Sequence, residues 1–164
     1  MNNKGFIIGF VIALAIFGFA IYSVISNGSA TSFSSNPTAQ AELPDRSYDW
    51  GEIDINGGKV SRNFILVNKG TGNLQVNNFK TSCMCTEATV TIADNTSPSF
   101  GMHEKSTWRG EVAPGESATI TVTFDPLFHG PQGTGSITRL INFATNDPNN
   151  ASIELQLIGN VVRK

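Results

Sequence analysis

Charge, cysteine and histidine are all scarce in this chain, and the signature motifs of the common hydrolases and nucleotide binders are missing. Of 164 residues, 15% are charged, two are Cys and two are His. There is no G-x-S-x-G elbow, no H-E-x-x-H pair and no Walker loop, so a serine hydrolase, a zinc hydrolase and P-loop chemistry have no sequence basis. The chain is not expected to be an enzyme. Past Lys4 the balance is 10 Lys plus Arg against 13 Asp plus Glu, a net of −3. Such a surface offers no basic track for phosphates, which excludes nucleic acid as a default partner. Beyond residue 45 no stretch sustains a helical period, so a helical bundle is excluded as well.

The longest gap in charge is itself informative. No charged residue stands between Lys4 and Glu42, and within that gap Phe6 to Ile25 is an almost unbroken apolar run of twenty residues. As a helix it would be about 30 Å long, the thickness of a bilayer's hydrocarbon core. A cleaved signal peptide has an apolar stretch of roughly 7 to 15 residues, so an uncleaved signal anchor over 6–26 is the expectation. Lys4 and the α-amino group precede it, and the next basic residue is Arg46. The positive-inside rule therefore puts residues 1–5 in the cytoplasm and the folded part on the extracytoplasmic side of the cytoplasmic membrane. Residues 27–44 are mostly Ser, Asn, Thr, Ala and Gly with two prolines and little to bury, the composition of a flexible tether. That leaves 45–164 for one folded domain.

In this domain apolar residues recur at every second position in short runs. Phe64 and Leu66, Leu74 and Val76, then Ala118, Ile120, Val122 and Phe124 each share a face, as do Ile137, Arg139, Ile141 and Phe143, and Ile153, Leu155, Leu157, Gly159 and Val161. Weaker runs cover Tyr48 to Ile55 and Thr86 to Ile92. Turn residues separate them at Asn56-Gly-Gly58, Lys69 to Gly72, Pro114-Gly115, Gly130 to Gly135 and Asp147 to Asn150. About seven short strands in this length predict an all-β sandwich, though a barrel shows the same alternation. The stretch from Ala93 to Ala113 fits no strand and reads as a long loop. Trp108 within it is expected to fold back over one open end of the sandwich.

Tyr48-Asp-Trp-Gly51, Phe64-x-Leu66-x-Asn68-x-Gly70, Ser82-Cys-Met-Cys-Thr86, Phe124-Asp-Pro126, Thr145-Asn-Asp147 and Leu155-x-Leu157-x-Gly159-x-Val161 resemble, in order, the domain of unknown function numbered 1573. The resemblance implies an immunoglobulin-like β-sandwich, often behind a signal peptide or anchor, and supports sandwich over barrel. It implies no activity. In that family the middle residue of Ser-Cys-x-Cys-Thr is usually Gly; here it is Met84, which raises the question whether the position needs left-handed backbone.

Cys83 and Cys85 carry the candidate chemistry. In an extended strand, residues two apart share a face at about 6.6 Å, too far for an undistorted disulfide but suited to chelation. Core packing, a disulfide, a metal pair and a redox-active dithiol all remain open for them. Met102, His103 and His129 are the further candidate ligands, with Met84 less favoured. Thiolate, thioether and imidazole together point to Cu(I) as the cofactor, if there is one. The leading reading is a membrane-anchored binding or scaffold module that meets another extracytoplasmic protein. Capture or transfer of Cu(I) and thiol-disulfide carriage are the alternatives.

Overall fold

The computed structural model describes residues 9–19 and 34–164. The chain divides into two units at 32/33. Residues 9–19 are helical, with Phe10, Leu14, Ile16, Phe17 and Phe19 all exposed. These eleven residues rise about 17 Å, roughly half a bilayer's hydrocarbon thickness. The flanks of the expected 6–26 span, residues 6–8 and 20–26, lie outside the described residues, as do residues 1–5, expected in the cytoplasm. No helix among the described residues is long and apolar enough to cross a membrane.

The second unit is built from ten strands: β1 (Ala41–Glu42), β2 (Ser47–Asp54), β3 (Val60–Asn68), β4 (Leu74–Thr81), β5 (Thr86–Ile92), β6 (Asn95–Thr96), β7 (Gly110–Val112), β8 (Ser117–Phe124), β9 (Gly135–Thr145) and β10 (Ser152–Val162). They form two five-stranded sheets, ordered β1-β3-β8-β5-β6 and β2-β10-β9-β4-β7. All pairings are antiparallel except β2 with β10. The alternation dictates this packing. Phe64 and Leu66 of β3, Ala118 to Phe124 of β8 and Ile153 to Leu157 of β10 turn one face inward, where they are 0–2% exposed. Each such side chain contributes about 1.5–3 kcal/mol by leaving water.

Three strands more than the expected seven are present, and they are β1, β6 and β7, only two or three residues each. That is too short for a period to register. The strand β4 is also longer than its visible alternation. Its register against β9 shifts between Asn77 and Lys80, where Asn78 takes φ 54°. This bulge reverses the inward parity. Leu74 and Val76 point in before it, and Phe79 and Thr81 after it.

Of the expected tether 27–44, residues 27–33 lie outside the described residues, and the part from Asn36 to Pro44 is corrected. The Asn36 amide donates to Asn146 O at 2.8 Å, β1 pairs with β3, and Ala39, Ala41 and Leu43 are buried. Two alanines and a single leucine at alternate positions are too weak a signal to mark a strand. The strap is clipped at both ends. Asn68 donates to Gly72 O (2.8 Å) and Val112 O (2.9 Å) and accepts from the Gly70 amide at 3.0 Å. A Cβ on Gly70 would stand 2.7 Å from the Gln40 nitrogen, so only glycine lets the strap approach. At the other end Asp147, fully buried, accepts from the amides of Ala41 (2.9 Å) and Asn149 (2.8 Å) and from the Asn150 side chain (2.9 Å). Burial alone pushes the Asp147 pKa up. The hydrogen bonds from Asn150, Ala41 and Asn149 outweigh it and hold the carboxyl below its usual range.

The 93–113 segment is a second correction, because it is anchored rather than structureless. Phe100 is 2% exposed and exchanges backbone hydrogen bonds with Ala88 at 2.9 and 2.8 Å. Its ring stacks on Phe79 (5.1 Å, 18°), which stacks in turn on Phe143 (4.7 Å, 9°). Trp108 folds back as expected, 5.4 Å from Phe100 and 6.1 Å from Phe79.

Candidate functional site

Residues 82–85 join β4 to β5 across the two sheets, and they form a turn rather than an extended strand. Several bonds fold it. The Thr86 amide donates to Cys83 O at 3.1 Å, and the Thr81 hydroxyl lies 3.0 Å from both Cys83 O and Thr86 O. Ser82 locks the turn onto β9: its amide donates to Leu140 O and its hydroxyl accepts from the Leu140 amide, both at 2.9 Å. The turn brings the two cysteine Cα atoms to 5.3 Å, and Cys83 and Cys85 form a disulfide. The extended geometry expected for this pair is therefore corrected, since the turn closes the gap that a strand leaves open. Met84 needs no left-handed backbone; it is not among the residues with positive φ, and its side chain is 53% exposed at the tip.

The two sulfurs have different surroundings. Cys85 is 3% exposed and packs with Ile53, Ile55, Phe124 and Val161, whereas Cys83 is half-buried at the edge of that cluster. The Cys85 amide donates to Cys83 Sγ at 3.3 Å, and the Thr86 hydroxyl is 3.7 Å from Cys85 Sγ.

The loop between β8 and β9 completes the site. Its first residue continues the β5–β8 ladder, with the Asp125 amide donating to Cys85 O at 2.9 Å. The Asp125 carboxylate accepts from the Leu127 amide at 3.0 Å, and the Gly130 amide donates to Leu127 O at 2.8 Å. Arg163 reaches across from the C-terminus to the Pro131 carbonyl. So held, the loop sets His129 Nε2 3.6 Å from Cys83 Sγ, and Phe128 packs edge-on against the His129 ring at 5.1 Å. The ligating atoms of Cys83, Cys85 and His129 all lie within 4.8 Å of one another. Beside them a cleft of roughly 170 Å³ is lined by Lys59, Met84, Cys85, Glu87, Thr123, Asp125 and Phe128.

Three of the five expected ligands thus come together, Cys83, Cys85 and His129. His103 is not part of the cluster, and Met102 is 42% exposed in the loop after Phe100. Sequence reasoning missed the layer beneath the disulfide. Trp50 stacks on Phe124 (5.9 Å, 27°), and the Arg139 guanidinium lies 5.2 Å from the centre of the same ring. Burial lowers the Arg139 pKa from its usual value. The signal was present: Arg139 occupies an inward position between Ile137 and Ile141, where an apolar residue is the norm.

The profile of the HYDIN/CFA65/VesB-like, Ig-like domain family matches residues 39–160. The chain belongs to this family. The match begins at Ala39, inside the strap, in keeping with β1 being part of the domain. No curated protein is similar enough in sequence to count as a relative. Among solved structures, a protein of unknown function from Porphyromonas gingivalis is similar, with a TM-score of 0.58 and 22% identity over 82% of this chain and 51% of that one. This chain spans about half of that protein's length. The ASH/PapD-like domain 7 of human CEP192 is similar at TM-score 0.49 and 15% identity, over 80% of this chain and 92% of that one. The VesB protease of Vibrio cholerae is similar at TM-score 0.41 and 15% identity, over 76% of this chain and 31% of that one. The likeness to the Porphyromonas gingivalis protein, at this identity, speaks for the immunoglobulin-like sandwich and not for an activity.

Proposed function

We propose that the chain is a binding or scaffold module rather than an enzyme, an Ig-like domain of the HYDIN/CFA65/VesB-like family held outside the cytoplasmic membrane by its N-terminal apolar segment. Support for the anchor is the uncharged run of Phe6 to Ile25, of which residues 9–19 are helical with their apolar side chains exposed. The observation that carries the binding role is the exposed apolar group at one end of the sandwich. Met84, Leu127 and Phe128 are 53%, 47% and 46% exposed, on loops that the hydrogen bonds above hold in place. Met84 and Phe128 line one cleft, and exposed apolar side chains gathered at one end of a domain suit a partner-binding surface. The partner is another extracytoplasmic protein. A photo-crosslinking residue at Phe128, in intact cells, is expected to give a discrete adduct that the same residue at Ile65 does not. Ile65 is 45% exposed in β3, away from these loops. Equal labelling from both positions, or none from Phe128, refutes the reading.

A second reading is favoured by one observation, the half-exposed Cys83–Cys85 disulfide with an imidazole beside it. Thiol-disulfide exchange with a partner would begin at Cys83, the more accessible sulfur, and leave Cys85 as the thiol. This reading requires that a mild reductant yields two thiols per chain. The resemblance to the domain of unknown function numbered 1573 fits either reading and adds no activity.

A further inference from the structure

Three donors gathered by two loops form the most concentrated soft-ligand cluster among the described residues. We propose that the reduced protein holds one Cu(I) ion between Cys83 Sγ, Cys85 Sγ and His129 Nε2, a three-coordinate site that the disulfide form does not offer. The inference rests on the reading that this disulfide opens to two thiols.

The distances suit such a site. With metal–sulfur bonds of about 2.3 Å and a metal–imidazole bond of about 2.0 Å, a planar three-coordinate ion keeps sulfur and nitrogen about 3.7 Å apart and the two sulfurs about 4.0 Å apart. Cys83 Sγ and His129 Nε2 are already 3.6 Å apart. Once the sulfur–sulfur bond is broken, the sulfurs have to separate and Cys85 Sγ, in a cluster whose atoms lie within 4.8 Å of one another, has to swing toward the imidazole, displacements of about 1 Å within the reach of side-chain rotations. The Cα atoms, 5.3 Å apart, do not have to move.

The donor set selects the metal. Two thiolates and an imidazole are soft ligands that favour Cu(I) or Zn(II). A structural zinc site closes with four protein ligands, and the cluster has no fourth Cys, His, Asp or Glu among the described residues. Asp125 lines the neighbouring cleft without joining the cluster. Cu(I) is content with three donors. The surroundings fit a thiolate site as well. Cys85 sits in a dry apolar cluster, the Cys85 amide already donates to Cys83 Sγ, and Phe128 fixes the imidazole ring edge-on. Two thiolates, one Cu(I) and a neutral imidazole sum to one negative charge, and Lys59 lines the adjoining cleft.

The chemistry balances in two steps. An external dithiol reduces the disulfide: its sulfurs become a disulfide, and Cys83 and Cys85 each gain one electron and one proton. Cu(I) then displaces the two thiol protons, with no further redox change.

The test uses the full chain in neutral detergent, reduced anaerobically by a phosphine that is then removed. Thiol titration is the first arm, and two thiols per chain are expected. The second arm is competition for Cu(I) against a coloured chelator. The native chain is expected to bind one Cu(I). His129→Ala should weaken binding at least tenfold, the Cys83→Ser, Cys85→Ser variant should lose it, and Met102→Leu with His103→Ala should change it less than twofold. His129 is exposed, so its variant carries the test even if the cysteine variant misfolds. Two free thiols with copper held no better than by the cysteine variant, or a His129→Ala chain that matches the native one, overturn the metal site alone. A disulfide that yields no thiols overturns both the metal site and the exchange reading.

Discussion

Replacing Phe100 by Ala tests the ring that, together with Trp108 and Val112, ties the 93–113 segment to the core. The ring is 2% exposed, stacks on Phe79 at 5.1 Å and 18°, and lies 5.4 Å from Trp108. Truncating a buried Phe costs about 3–5 kcal/mol, including the cavity left behind. The two ring contacts, each worth about 0.5–1.5 kcal/mol beyond area, place the expected cost near the middle of that range, about 4 kcal/mol. The backbone bonds to Ala88 use main-chain atoms and survive the change. For a domain of this size the urea slope is about 2 kcal/mol/M, so the midpoint should fall by about 2 M. Phe100→Leu keeps most of the volume and should cost less than about 1.5 kcal/mol, under about 0.8 M. Met102→Ala, on an exposed neighbour in the same loop, should stay within about 0.5 kcal/mol. The assay is urea unfolding of the full chain in neutral detergent, followed by far-UV circular dichroism and tryptophan emission. Trp108 emission in the native state should also shift to the red as its aromatic partner is lost. If Phe100→Ala moves the midpoint no further than Met102→Ala, the segment is not anchored through this ring and the account of the loop fails.

Asp147 should make the fold acid-sensitive. Its folded pKa is depressed, so its stabilisation is complete above the ordinary value of 3.8 and is lost as pH falls through the lower folded value. The urea midpoint of the native chain should exceed that of Asp147→Asn at neutral pH, by about 1–3 kcal/mol in stability, and the two should converge below pH 3.8; a gap that persists unchanged in acid would contradict this. Gly70→Ala places a methyl group 2.7 Å from the Gln40 nitrogen, and overpacking of this kind costs about 1–3 kcal/mol. Limited proteolysis should then cut the variant faster between residues 34 and 44 than the native chain, because the strap is what the methyl group displaces.

Where the chain alternates cleanly, the fold was legible. The runs Ala118 to Phe124 and Ile153 to Val161 became β8 and β10 with the expected faces inward. Where one residue breaks the parity, as Asn78 does in β4, the inward role of Phe79 was not visible. The strap showed only two alanines, Ala39 and Ala41, and one leucine, Leu43, in a polar stretch that composition alone assigns to a tether. In the candidate site, Cys83 and Cys85 were marked by chemistry and spacing. Their joining depended on a turn that Thr81, Ser82 and Thr86 enforce through hydrogen bonds, and no periodicity announces such bonds.

By itself the sequence determined the all-β class, the apolar N-terminal run and the two cysteines as the candidate site, because period-two patterning and residue chemistry are local properties that any one stretch of chain displays. Tertiary structure alone decided that His129, 44 residues beyond Cys85, stands beside the sulfurs while His103 does not join the cluster. Residue 125 continues the ladder opposite Cys85, and that long-range strand register, which no local pattern encodes, sets which loops meet at the end of a sandwich.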